Sequence, residues 1–285
     1  MATVALVLHR ERDLAATLAS EAAAWLLAQG HEVRVPEVDA ALAGLEAHAR
    51  PEHELGPVDL AVSLGGDGTM LRTLDLLARD GAPVLGVNVG QLGYLTEIEP
   101  PDFQDALKGF FAGEHEIEER MLLLVSLDAP SRGEVPRPQV ALNEAVLEKT
   151  PLGHTVRLNV LVDGEFFTPY AADGLIVATP TGSTAYSFSA RGPIVAPEHK
   201  ALVLTPVSPH MLFDRSLILN PDTVIRVEVD GHRPATLSVD GRNLGELREG
   251  DAIECTAAPE PARLVTFGDR DFLGILKAKF GLTDR

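Results

Sequence analysis

Apolar and polar positions follow one period over the first third of the chain and another over most of the rest. Residues 3–8 (Thr-Val-Ala-Leu-Val-Leu) make a short continuous apolar run, as expected of a strand buried on both faces. The alanine- and leucine-rich stretch 13–29 reads as a helix closed by Gly30. A second strand is predicted at 31–35, followed by an acidic, proline-flanked segment to Pro57. Residues 58–64 are again apolar and β-compatible. They run into Gly65-Gly66-Asp67-Gly68-Thr69, after which Met70, Leu71, Leu74, Leu76 and Leu77 recur at helical spacing. Another apolar run lies at 84–88, and 102–112 reads as a helix closed at Gly113. Strands alternating with helices predict a parallel sheet with helices on both faces.

Near residue 115 the pattern changes. From Arg120 to about Thr266 the segments are short, β-rich and separated by turn pairs such as Asp163-Gly164, Pro221-Asp222, Asp230-Gly231 and Asp240-Gly241. Even spacing with Asp-Gly turns predicts a sandwich; Asp163-Gly164 and Asp230-Gly231 read as hairpin turns, while Leu237-Ser-Val-Asp240-Gly241-Arg242 stands apart from that pattern, with a hairpin turn as its ordinary alternative. Residues 271–281 then form an amphipathic helix, expected to clasp the first domain. The architecture that follows is an α/β N-terminal domain with a parallel, Rossmann-like sheet plus a C-terminal all-β, sandwich-like domain. The predicted boundaries are 1–115 joined by the helix 267–285, and 116–266 for the β domain.

Charge narrows the possible partners. With 24 basic and 42 acidic residues the chain carries a formal −18, and no Lys/Arg cluster stands out. A nucleic-acid binder needs a basic face to neutralise phosphates, so nucleic acid is not an expected partner. A small anionic substrate would have to be held by a few local Arg/Lys side chains, backbone amides and a divalent cation. No apolar run is long enough to cross a bilayer and the first residues have no basic lead, so no membrane partner is expected and the cytoplasm is the expected compartment. The single cysteine, Cys255, has no His or Cys at zinc-ligand spacing and reads as core packing; His48 and His53 read as an exposed loop.

Candidate chemistry sits in a few places. The glycines around Asp67 and Thr69 open a helix after a buried strand, where free amides and the helix dipole favour a phosphate. An ordinary turn with Asp67 or Thr69 as N-cap fits the same residues. Parallel sheets bind ligands beyond the carboxyl ends of their strands, and the glycine-rich loop 88–96 falls on the same edge, so the two loops would form a cleft. In Asn143-Glu144 an amide and a carboxylate stand side by side in an apolar stretch. Strand alternation requires that one of them be buried and paired, or that the strand kink there. Residues 179–189 (Thr-Pro-Thr-Gly-Ser-Thr-Ala-Tyr-Ser-Phe-Ser) follow the apolar strand 174–178 with hydroxyls, free amides and aromatics that suit a ribose, a base and phosphate oxygens.

Gly65-Gly-Asp-Gly-Thr69, Asn143-Glu144, Asp173-Gly174 and Thr179-Pro-Thr-Gly-Ser-Thr-Ala-Tyr-Ser187, in this order and at these separations, resemble NAD kinase over nearly the whole chain. The first element alone is shared with lipid kinases and, as a close variant, with phosphofructokinases; the Thr-Gly-Ser-Thr-Ala-Tyr segment narrows the resemblance. It implies ATP as phosphoryl donor and NAD as substrate, with inorganic polyphosphate left open as an alternative donor. Asp67 would take the proton from the 2′-hydroxyl of the adenosine ribose. NAD contacts are implied at Asp67, Gly68, Arg72, Asn143, Glu144, His154, Asp173, Thr184, Ala185, Tyr186, Ser187, Phe188 and Ser189, with the site expected between the two domains. Arg72, five residues past Asp67, would reach back to a phosphate. A divalent cation, Mg²⁺, is implied by the charge of ATP, carried mainly by the nucleotide because no compact set of metal ligands is visible. The resemblance also implies a homo-oligomer.

Overall fold

The structure, a computed structural model, describes residues 1–77, 80–90, 93–133, 137–150, 154–268 and 271–282. Two compact units emerge, Met1–Glu119 with Ala262–Arg285 and Arg120–Pro261.

In the first unit β1 (Thr3–Leu8), β2 (Glu32–Pro36), β3 (Ala49–Arg50), β4 (Leu60–Gly65) and β5 (Pro83–Asn88) pair in the order β3-β2-β1-β4-β5, all in parallel. β4 is buried at every position, which is why its sequence is apolar on both faces, Ser63 excepted, instead of alternating. Helix α1 (Asp13–Ala28) buries Ala15, Leu18, Ala19, Ala22, Ala23 and Leu26, a stripe at helical spacing, and these pack with Leu6, Leu64 and Val87 of the strands. The acidic segment after β2 forms a further helix, α2 (Glu37–Ala43), closed by Gly44 at φ 66°. Its Asp39 is fully buried. Helices α3 (Asp67–Leu77) and α4 (Phe103–Ala112) complete the set, α4 ending at Gly113 in the left-handed region.

The sheet has two more strands. Ala262–Thr266 pairs in parallel with β5, and Glu116–Arg120 lies beyond it. Both strands fall inside 116–266, the stretch predicted as the β domain, yet belong to the first sheet. Turn signals mark where strands end and not which sheet they join, so their placement was not readable from spacing. The tail helix Phe272–Phe280 follows, with Asp271 capping it by accepting the Gly274 N–H at 2.8 Å.

The second unit is built of two six-stranded antiparallel sheets. Val125, Leu158, Val227, Ile253 and Cys255 of one share a core with Leu147, Leu175, Val177 and Leu237 of the other, as a sandwich requires. Burial pushes the Cys255 thiol far above its usual range, leaving it inert packing. Asp163-Gly164 and Asp240-Gly241 both hold positive φ at two successive residues, the geometry of tight hairpins.

Candidate active site

The carboxyl ends of β1, β4 and β5 build the first part of the site. At the end of β4 the chain folds so tightly that a Cβ on Gly65 would lie 2.1 Å from the Thr69 Oγ1. Asp67 opens α3, yet both of its oxygens are engaged by the neighbouring loop: Oδ2 accepts the Tyr94 N–H at 2.9 Å and Oδ1 the Leu95 N–H at 3.0 Å. That geometry favours an aimed carboxylate over a helix cap. The loop approaches this closely because residue 93 has no side chain; a Cβ there would meet Asp67 Oδ1 at 2.2 Å. Gln91 and Leu92 of the same loop lie outside the described residues. Lys279 of the tail helix places its Nζ 3.9 Å from Asp67 Oδ2 and 4.0 Å from the centre of the Tyr94 ring. Burial, then the Asp67 charge, pushes the Tyr94 phenol above its ordinary range.

Asp67 faces a cleft of about 570 Å³ whose walls include Arg10, Glu11 and Arg12 after β1, Gly66 to Thr69, Arg72, and Gly90 and Gly93. The arginines line this cleft because Asp39 anchors two of them. Its carboxylate accepts the Leu8 N–H at 2.8 Å, Arg10 Nε at 3.0 Å and both terminal nitrogens of Arg72. Arg72 also donates to the Leu8 carbonyl at 2.6 Å. The reach toward a phosphate expected of Arg72 is therefore restrained: its guanidinium is held at the wall as a fixed charge. Sequence reasoning missed Arg10, Arg12 and Asp39. Three charged residues, Arg10 to Arg12, directly past the first buried strand were the available signal for the arginines, since that strand ends on the ligand-binding edge.

The second unit gathers most of the other predicted residues. The N–H groups of Leu142, Asn143 and Glu144 all donate to the Asp240 carboxylate, at 2.7, 2.8 and 3.0 Å, and the Asp240 N–H returns a bond to the Glu144 carbonyl. Asp240 is thus the clamp that sets Asn143 just ahead of the strand Glu144–Lys149. Glu144 is buried. Burial, reinforced by the Asp240 charge and opposed by the Tyr186 N–H, pushes its carboxyl up to about 8. Its Oε2 has no hydrogen-bond partner among the described residues. Burial also raises Asp240, against the three N–H bonds it accepts.

The hydroxyl-rich loop is built on the same clamp. Thr179 donates its hydroxyl to the Leu142 carbonyl and its N–H to the Asn143 carbonyl, while a Cβ on Gly182 would lie 2.1 Å from that Asn143 oxygen. Ser183 exchanges bonds with the Val195 backbone, and the Ser187 hydroxyl pairs with Thr205, both fully buried. Ser187 therefore shapes the loop, and Tyr186 and Ser189 are its exposed members. Thr184 bonds the Thr181 carbonyl, Ala185 the Gly182 carbonyl, and Phe188 is half-buried. Asp173 pairs with Lys149 at 2.9 Å. The Tyr186 phenol is pushed up by burial and then by Glu148, Asp173 and Glu144, which places these acids around its ring. His154 stands exposed ahead of the strand Val156–Val162, outside this network of described residues.

An aspartate aimed by amides beside an arginine-walled cleft at a strand's carboxyl end, on a chain that also carries a hydroxyl- and carboxylate-lined loop, defines a phosphotransferase. The family model of the ATP-NAD kinase N-terminal domain matches residues 4–115, and that of the ATP-NAD kinase C-terminal domain matches 142–267. The chain belongs to the ATP-NAD kinase family. It is 39% identical to NAD kinase of Moorella thermoacetica, covering 98% of this chain and 89% of that one, and 41% identical to NAD kinase of Heliobacterium modesticaldum, covering 98% of each. Among solved structures it superposes on yeast NADH kinase complexed with NADH with a TM-score of 0.88 at 27% identity, covering 99% and 88% of the two chains. An NAD kinase from Archaeoglobus fulgidus in complex with ATP gives 0.74 at 27% identity, covering 97% and 99%.

Proposed function

We propose that this NAD kinase transfers the γ-phosphoryl group of ATP to the 2′-hydroxyl of the adenosine ribose of NAD, with Asp67 as general base. The observation that carries the assignment is the Asp67 carboxylate, aimed by two loop amides into a cleft walled by arginines. As the ribose oxygen bonds to the γ-phosphorus, the bond to the β,γ-bridging oxygen breaks, ADP leaves and the hydroxyl proton passes to Asp67. Such a transfer is mostly positioning and charge stabilisation, which one base and a cradle of amides and cations can supply. Gly68 opens the cradle, and Arg10, Arg12 and Arg72 supply fixed positive charge for the phosphates. Asn143, protonated Glu144, Asp173 and the segment Thr184 to Ser189 hold the dinucleotide, Tyr186 by its ring and Ala185 and Phe188 by backbone and surface; His154 is a peripheral contact.

Among the described residues no group of three or more His, Cys, Asp or Glu side chains is arranged to hold a metal ion. The donor set fits a divalent cation, Mg²⁺, that is bound chiefly by the triphosphate, with Asp67 the carboxylate on hand. When bound it supplies neutralisation of phosphate charge. The family resemblance further supports a homo-oligomer working in the cytoplasm.

The test is NADP formation by purified protein with NAD, ATP and Mg²⁺, with polyphosphate as a parallel donor. Asp67→Asn is expected to bind NAD within a few-fold of wild type while kcat falls roughly 10²–10⁴-fold. Full activity in Asp67→Asn would remove the general-base assignment.

A further inference from the structure

The tail helix buries none of its residues, yet it delivers one charge to the centre of the site. Lys279 lies with its ammonium 3.9 Å from Asp67 Oδ2 and over the face of Tyr94, the residue whose N–H already holds that oxygen. Lysine in the last turn complements the helix dipole wherever it points; here it points at the carboxylate. The Lys279 side chain is 25% and the Asp67 side chain 34% exposed, so solvent screens the pair only in part.

The reaction itself creates a need for such a charge. A base must be an anion to accept the hydroxyl proton, but an anion at this position repels the triphosphate that has to come within reach of the same hydroxyl. The chain's formal charge of −18 adds to that repulsion. Arg72 cannot relieve it freely, because both of its terminal nitrogens bond Asp39.

We propose that Lys279 is a positioning residue for the transfer, holding the Asp67 carboxylate and offsetting its charge so that ATP can approach an ionised base. The proposal rests on the reading of Asp67 as general base. It places a requirement for activity near the end of the chain, about 200 residues from the glycine turn.

The experiment measures binding of a non-hydrolysable ATP analogue with Mg²⁺ by calorimetry, in wild type, Lys279→Met, Asp67→Asn and the double variant, beside NADP formation by the same proteins. Lys279→Met is expected to weaken the analogue about tenfold, while in the Asp67→Asn background the same change costs less than about threefold, because the charge to be offset is gone. Lys279→Met should lower kcat with the KM for NAD changed by less than about threefold, and Lys279→Arg should restore most of both losses. Lys277→Met, which removes one positive charge from the same helix, is the charge control and should bind within about twofold of wild type. Should Lys279→Met melt below assay temperature, Lys279→Gln takes its place under the same thresholds.

Equal losses in both backgrounds would show that Lys279 acts directly on ATP or on the fold, and would overturn the proposal. So would tighter binding or faster turnover in Lys279→Met, the result expected of an inhibitory latch, or a loss matched by Lys277→Met. Failure of wild type to make NADP is a separate result: it removes the kinase reading while the binding cycle still reports on the Lys279–Asp67 pair.

Discussion

Glu144 keeps a proton that the unfolded chain gives up. Its folded value near 8 lies above the ordinary 4.5, so the stability it contributes is complete below 4.5 and is lost as pH rises toward 8. Each unit of that window is worth about 1.4 kcal/mol in principle. Glu144→Gln, which fixes the neutral form, should match wild type in melting temperature at pH 5 and exceed it by several degrees at pH 9. A thermal scan at the two pH values is the check; a constant difference would mean that the proton is not held in the folded state. The sequence made Asn143-Glu144 conspicuous, because two polar residues interrupted an apolar stretch. It marked the segment around Asp240 without giving that residue a role, and it did not expose Asp39, one acid in an acidic segment. Their importance lies in the N–H groups and guanidiniums that tertiary structure brings to them, and no local pattern records those partners.

Among the elements, the loop after β5 does more than face Asp67. It aims Asp67, and the missing side chain at residue 93 is the condition for doing so. Gly93→Ala is expected to displace the carboxylate and to lower kcat at least tenfold with only a minor change in melting temperature, since a misplaced catalytic group costs rate far more than stability. Steady-state kinetics beside a thermal melt would show it, and an unchanged kcat would mean that the loop does not set the carboxylate. The strand, glycine turn and helix around this site were legible because period and glycine placement specify them locally. The 179–189 loop was legible as a run of hydroxyls but not in its internal division. Thr179, Ser183 and Ser187 turn inward and build the loop, leaving Tyr186 and Ser189 at its surface. Which way each hydroxyl turns is decided by the carbonyls of Leu142 and Val195 and the hydroxyl of Thr205 that close around it, and those come from other parts of the chain.

Across the whole molecule, the two-part organisation was readable from the change of hydrophobic period, whereas the return of Ala262–Thr266 to the first sheet was not. That return separates the folding requirements of the parts. A fragment of residues 120–261 contains both antiparallel sheets and their common core, so it is expected to unfold cooperatively by circular dichroism on urea titration. A fragment of 1–119 lacks the strand that lies between β5 and Glu116–Arg120, and is expected to show no such transition. A cooperative transition in the second fragment would mean that the inserted strand is dispensable for folding.

The same strand fixes an order of events during synthesis. On the ribosome the first sheet must wait, with its slot beside β5 empty, until the entire sandwich has been made and residues 262–266 emerge behind it. Only then can the tail bring its lysine to Asp67, so a nascent chain can finish one half of its structure long before the ends of the other half meet.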